Sequence, residues 1–256
     1  VCAQRELEAP EGVVYMEWKK EFVPYFRDVW HPGQHLSTIA PTDAGKTTLV
    51  AGLLKLRRYV LALDPKGGDE TLAALEFRRL PTWPGEKGIR KLLREDDEAN
   101  RPSHYTVGPV AMRGSDLLIL RKACADALDA AFDMGRWTIY VDELQVLSDR
   151  RMMNLSGKAA KLLVAARSKG VTFISSFQSP SWVPSEAVRQ PRWIAVAYTR
   201  DTDTVNRLAE VMGRPKGEIR GAVKELTEFH WLIVGRNPRE PMIITKPDEV
   251  KPKKAE

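Results

Sequence analysis

The stretch Ala40-Pro-Thr-Asp-Ala-Gly-Lys-Thr-Thr48 constrains this chain more than any other. It comes after the apolar run Leu36–Ala40 and opens the pattern Thr47–Arg57, in which Leu49, Leu53 and Leu56 share one helical face. A strand that turns through a short loop into a helix aims backbone N–H groups and a helix N-terminus at one point, which favours an anion. The residues fit the phosphate-binding loop G-x-x-x-x-G-K-[ST], with Ala40 in place of the first glycine. On that reading Ala40, Pro41, Thr42, Asp43, Ala44, Gly45, Lys46, Thr47 and Thr48 surround a nucleotide's phosphates. Lys46 reaches the β and γ positions, and the Thr47 hydroxyl binds Mg²⁺. The plainer alternative is an ordinary helix start; the strand before and the helix after favour the loop.

Three further stretches carry chemistry. Trp137-Thr-Ile-Tyr-Val-Asp-Glu143 is an apolar strand ending in adjacent carboxylates, a pattern that places Asp142 on Mg²⁺ through water and Glu143 on the attacking water. Its alternative is a strand ending in a solvated turn. A glutamate beside the metal favours hydrolysis over a switch or a kinase. Next, Ala165-Ala-Arg-Ser-Lys-Gly170 leads into a strand that ends at Gln178, placed to hydrogen-bond water or a γ-phosphate. Arg167 and Lys169 complement a helix dipole equally well. Finally, Leu61-Ala-Leu-Asp-Pro-Lys-Gly-Gly68 is a strand running into a polar turn, with an unremarkable Asp-Pro turn as its alternative.

The rest of the chain alternates strands and helices. Strands are predicted at Leu36–Ala40, Tyr59–Asp64, His104–Val107, Trp137–Asp142, Val171–Ser176, Trp193–Tyr198, His230–Gly235 and Met242–Thr245. Helices are predicted at Thr47–Arg57, Ser115–Met134 with Ser115 as N-cap, Ser156–Lys169, Thr202–Met212 and Pro215–Leu226, with stops at Gly135, Gly170 and Gly213. Several strands are almost wholly apolar, which implies an α/β fold with a mostly parallel sheet flanked by helices. Residues 1–33 read as an N-terminal amphipathic segment packed on the core, 34–245 as the main domain, and 246–256 as a charged tail. Pro81–Pro102, dense in charge, reads as a surface excursion.

A chain of 256 residues that is 43% hydrophobic and 29% charged excludes wholesale disorder. No apolar run approaches the roughly 18 residues of a membrane span, and no signal-peptide pattern opens the sequence. Cys2 and Cys124 make neither a disulfide framework nor a zinc site, so a reducing, cytoplasmic compartment is expected. A net charge of +6 points to a polyanionic partner.

Taken in order, Ala40–Thr48, Leu63-Asp-Pro-Lys-Gly67, Val141-Asp-Glu143, Ala166-Arg-Ser-Lys-Gly170 and Ser176-Phe-Gln-Ser-Pro180 resemble the FtsK/HerA superfamily of DNA-pumping ATPases. The segment from Thr199-Arg-Asp201 to Leu208-Ala-Glu-Val-Met-Gly213 is similar to the stretch after that family's sensor strand. The resemblance implies a P-loop NTPase of the additional-strand catalytic-glutamate type, using ATP and Mg²⁺ and working as a homo-oligomeric ring, a pentamer or hexamer. Lys46, Thr47, Asp142, Glu143 and Gln178 would act in cis, and Arg167 as an arginine finger on the neighbour's site. Arg150 and Arg151 are an alternative finger, or face the central channel. Double-stranded DNA is the implied substrate; the compact size and lack of membrane segments favour viral genome packaging, with docking to a portal or similar protein, over cell-division or conjugation work. The departures are Ala40 and the pair Asp43-Ala44, where family members more often carry Gly-Ser. Basic candidates for DNA are Arg78-Arg79, Lys87, Arg90, Lys91, Arg94 and Arg150-Arg151, for each of which a solvated face is the alternative. A second reading is an assembly or secretion ATPase that does not grip DNA. A small-molecule kinase is disfavoured by Glu143.

Overall fold

The computed structural model describes residues 12–66, 72, 74, 75, 77–108 and 117–248. β1 (Val13–Tyr15) is followed by a π-helical turn (Trp18–Phe22) and α1 (Val23–Val29). β2 (Leu36–Ile39) leads to α2 (Lys46–Leu54) and β3 (Tyr59–Leu63). β4 (Arg78–Leu80), α3 (Gly85–Glu98) and β5 (Ser103–Val107) come next, then α4 (Leu117–Met134) and β6 (Thr138–Val141). α5 (Leu144–Ser148), α6 (Ser156–Ala165) and a 3-10 turn (Ala166–Lys169) precede β7 (Thr172–Phe177). α7 (Glu186–Arg189), β8 (Trp193–Ala197), α8 (Thr202–Met212), α9 (Lys216–Lys224), β9 (Trp231–Gly235) and β10 (Met242–Thr245) complete the fold.

Ten strands form one sheet in the order β1-β10-β9-β8-β2-β7-β6-β3-β5-β4. All pairings are parallel except those of β9, which runs antiparallel to both β8 and β10. One strand, β7, lies between the phosphate-loop strand β2 and the carboxylate strand β6. That is the additional strand that the resemblance implies. Every residue of β2, β6, β7, β8, β9 and β10 is buried, because helices cover both faces of the sheet. Polar residues inside β2 and β7 satisfy one another across the pair. Ser37 Oγ lies 2.8 Å from Ser175 Oγ, and Thr38 Oγ1 lies 2.6 Å from Ser176 Oγ.

Each predicted strand is present within one residue of its predicted bounds. The predicted stops Gly135, Gly170 and Gly213 all stand just past helical segments with positive φ. Sequence reading missed the two outermost strands, β1 and β4, which have three residues each. It also read Pro81–Pro102 as an irregular excursion. The segment holds α3, which buries Ile89 and packs the partly buried Leu92 and Leu93 on the core. Three apolar residues at i, i+3 and i+4 are enough for a docked face, although charges hide them in the sequence. Ser115 as N-cap, Gly67, Gly68 and residues 249–256 lie outside the described residues. Among those described, no helix is long and apolar enough to cross a membrane.

Candidate nucleotide-binding site

Four parallel strands end along one edge of the sheet, with Ile39 in register with Phe177, Leu63 with Val141, and Val141 with Ser175. The segments that leave them gather at that edge: Ala40–Gly45 after β2, Asp64–Lys66 after β3, Asp142–Glu143 after β6 and Gln178 after β7.

The first segment has the backbone geometry that an anion would fit. Asp43 and Gly45 take φ of 61° and 81°, left-handed positions that turn successive backbone N–H groups inward. The N–H groups of Asp43, Gly45 and Lys46 donate no hydrogen bond among the described residues. Gly45 also lies under the Phe229 ring, which a Cβ at position 45 would approach to 3.1 Å. Nothing local in the sequence points to Phe229. Lys46 is 8% exposed, and its Nζ donates to the carbonyl oxygens of Ala40 and Pro41 at 3.0 and 2.6 Å. Burial lowers its pKa, and the carboxylates of Asp142, Glu143 and Asp43 oppose that shift. An ammonium satisfied only by its own loop's carbonyls, beside unpaired N–H groups, fits a phosphate that would take over both.

The carboxylates are positioned differently from each other. A hydroxyl chain runs from Thr38 to Ser176 to Tyr140, and Tyr140 Oη donates to Asp142 Oδ1 at 2.7 Å. This fixes Asp142 from inside the sheet. Glu143 takes φ of 53°, a costly conformation for a residue with a side chain, and its carboxylate forms a salt bridge with Lys66. Lys66 was visible in the sequence as part of the Asp-Pro-Lys turn, but its partner was not. Among the described residues no cluster of three or more His, Cys, Asp or Glu side chains forms a ready cation cage. The groups able to hold a hard divalent ion here are the Thr47 hydroxyl and Asp142, with phosphate oxygens and water completing the shell.

Gln178 is half-buried immediately past β7. Arg167 is elsewhere. It is exposed in the 3-10 turn before β7, so it stands at the opposite edge, with the six residues of Thr172–Phe177 between. That length spans about 20 Å. Arg150 and Arg151 lie in the exposed turn after α5. Of the other basic candidates, Arg78 pairs with Glu95, Arg90 with Glu86, and Arg79 with Asp64.

No family model matches this chain, and no curated protein does. Its fold does have solved counterparts. The genome packaging NTPase B204 of Sulfolobus turreted icosahedral virus 2, in complex with AMPPCP, matches with a TM-score of 0.57 at 18% identity, over 85% of this chain and 100% of that one. The two chains share an α/β fold with a mostly parallel sheet flanked by helices. The same fold is shared by the DNA-packaging ATPase B204 of Sulfolobus turreted icosahedral virus (TM-score 0.55, 19% identity, 86% of this chain and 100% of that one). VirB4 of Thermoanaerobacter pseudethanolicus matches with a TM-score of 0.55 at 11% identity, over 84% of this chain and 89% of that one.

Proposed function

We propose that this protein is an ATP-hydrolysing motor that works as a homo-oligomeric ring and drives double-stranded DNA into a viral capsid. The observation that carries the reading is the convergence of Ala40–Thr48, Asp142, Glu143 and Gln178 on one sheet edge, with β7 inserted between β2 and β6. Packaging as the task is supported by two of the similar structures, which are described as packaging NTPases of viruses. In this reading Lys46 and the loop N–H groups hold the ATP phosphates. Thr47 and Asp142 hold Mg²⁺. Glu143 accepts a proton from the attacking water, and Gln178 orients that water or the γ-phosphate. Arg167 stands about 20 Å from its own loop, so it acts on the neighbour's nucleotide.

One observation favours the alternative, an assembly ATPase that does not grip DNA. Arg78, Arg90 and Lys91, around α3, all pair with carboxylates of that helix. The discriminating experiment is steady-state ATP hydrolysis with and without random-sequence duplex. A motor on DNA is stimulated by duplex of any sequence, and its binding weakens with salt at a log–log slope of about −0.9 per phosphate contacted. Lys46→Ala is expected to abolish hydrolysis, and Glu143→Gln to retain bound ATP without turnover. Hydrolysis by Lys46→Ala at the parent rate overturns the assignment of Ala40–Thr48 as the phosphate loop, and absence of hydrolysis by the parent protein overturns the ATPase reading. Absence of duplex binding at low salt overturns DNA translocation alone.

A further inference from the structure

At the sheet edge opposite the phosphate loop, His35, Arg167, Arg192 and Arg236 line a pocket of about 90 Å³ that opens to solvent past the exposed Arg167 and Arg236. Its polar lining consists mainly of donors. His35 is 3% exposed, and its Nδ1 accepts the backbone N–H of Phe173 at 2.9 Å. The neutral ring therefore carries its proton on Nε2, which is buried with no acceptor at good hydrogen-bond geometry, the Leu163 carbonyl interacting with the ring only weakly. Burial takes the His35 pKa down to about 4; the Leu163 carbonyl opposes this and Arg167 adds to it, so the ring is neutral at neutral pH. Nη1 of Arg192 is also buried and unpartnered. The carboxylate of Glu240 pairs with the other Nη of Arg192 and does not line the cavity. Arg236 spends its Nε and one Nη on the carbonyls of Pro191 and Arg189, and neither it nor Arg167 makes a salt bridge among the described residues.

Arg167 and Arg236 are exposed and hydrated, so the unmet cost of the empty pocket lies with the buried Nε2–H of His35 and Nη1 of Arg192. Water would satisfy the donors but not the charge. An oxyanion satisfies both, and guanidinium geometry suits phosphate oxygens. We propose that this cavity is a second oxyanion site that takes one phosphate group. Its volume of about 90 Å³ is too small for a nucleoside, and a phosphodiester within a duplex is disfavoured because both of its esters continue the chain. The occupant is therefore inorganic phosphate or the terminal phosphate of a nucleotide held by a neighbouring copy. Only the second source rests on the ring reading above.

The test is titration of inorganic phosphate into the Lys46→Ala protein, whose phosphate loop is disabled, followed through the His35 ring resonances by ¹H–¹⁵N NMR. A saturable shift of the Nε2–H signal is expected. His35→Asn keeps an acceptor for the Phe173 N–H and removes the Nε2 donor, and Arg236→Gln removes a charge. Each is expected to weaken phosphate binding at least about tenfold, Arg236→Gln being read from the His35 ring and His35→Asn from a backbone resonance at the pocket; Arg236→Gln carries the test if His35→Asn does not fold. Binding that persists at protein concentrations too low for assembly identifies free phosphate as the occupant. A His35 shift produced by ATPγS in the parent protein only where copies associate identifies the neighbour's nucleotide. No saturable shift with either probe, or phosphate affinity unchanged in the folded variants, overturns the site. That result leaves the ATPase reading standing, since hydrolysis is measured separately.

Discussion

Lys66 and Glu143 reach each other from the ends of β3 and β6, with Glu143 largely buried and Lys66 about half exposed. In the proposed reaction the Glu143 carboxylate has to face water at the γ-phosphate, and a salt bridge to Lys66 draws it aside. Lys66→Met is therefore expected to raise hydrolysis in the absence of DNA by several-fold, with KM for ATP within about twofold, measured in steady state. A fall to the level of Glu143→Gln would show that Lys66 serves the nucleotide instead. His35 supplies a second effect at this scale. Its folded pKa of about 4 lies below the usual 6.5, so the unfolded chain takes up the proton first as pH falls. Its stabilising contribution is complete above pH 6.5 and is lost progressively down to pH 4, about 3 kcal/mol in all. Burial shifts His104 and His230 in the same direction. In phosphate-free buffer the urea midpoint is expected to drop between pH 7 and pH 5, and His35→Asn should flatten that drop.

The N-terminal aromatics form a ladder. Trp18, Phe22, Phe26 and Trp30 recur every four residues and stack with successive ring centroids 5.0, 5.0 and 5.2 Å apart. An amphipathic segment against the core was legible in the sequence; the four-residue stacking and the helix it docks on were not. Trp18 presses on α2 at Gly52, where a Cβ would stand 2.5 Å from the Trp18 ring. Helix propensity alone makes Gly52→Ala stabilising by about 1 kcal/mol, since glycine is a poor interior residue. The contact reverses the sign, because the Trp18 ring is buried and has nowhere to move. Gly52→Ala is expected to lower stability by about 1–3 kcal/mol in chemical denaturation. A stabilised variant would show that the ladder repacks freely. α3 illustrates the opposite limit: its three apolar contacts lie within a run of charge, and only docking on the core reveals them as a face.

At the scale of the molecule, Arg167 and the phosphate loop stand on opposite edges of the sheet. A trans finger requires that one copy's loop face the next copy's Arg167. Arg167→Ala subunits keep a good loop, and Lys46→Ala subunits keep a good finger. Mixing the two inactive proteins is therefore expected to restore part of the hydrolysis, once light scattering shows mixed assemblies. No recovery at any ratio, or full activity of Arg167→Ala alone, ends the trans assignment and makes Arg150 and Arg151 the next residues to vary. Fingers of this kind contribute about 10³–10⁵ in rate, so the loss in Arg167→Ala is far larger than the loss of a helix-dipole contact would produce.

The sequence by itself determined what depends on neighbours in the chain. The strands, the helix stops and the loop Ala40–Thr48 are written in local periodicity, in glycine placement and in an anion-binding turn, so the α/β fold was legible before any contact was known. Only the tertiary structure decided what depends on strand order. Placing β7 between β2 and β6 runs the hydroxyl chain from Thr38 through Ser176 and Tyr140 to Asp142. Setting β3 beside β6 brings Lys66 to Glu143, and the return of the chain before β9 lays Phe229 over Gly45. Except for Tyr140 and Asp142, two residues apart, these pairs lie far apart in sequence, and no short-range pattern encodes them. They form because burying ten strands between two helical layers removes apolar surface from water in only one arrangement, and the polar groups left at the strand ends meet where that arrangement puts them.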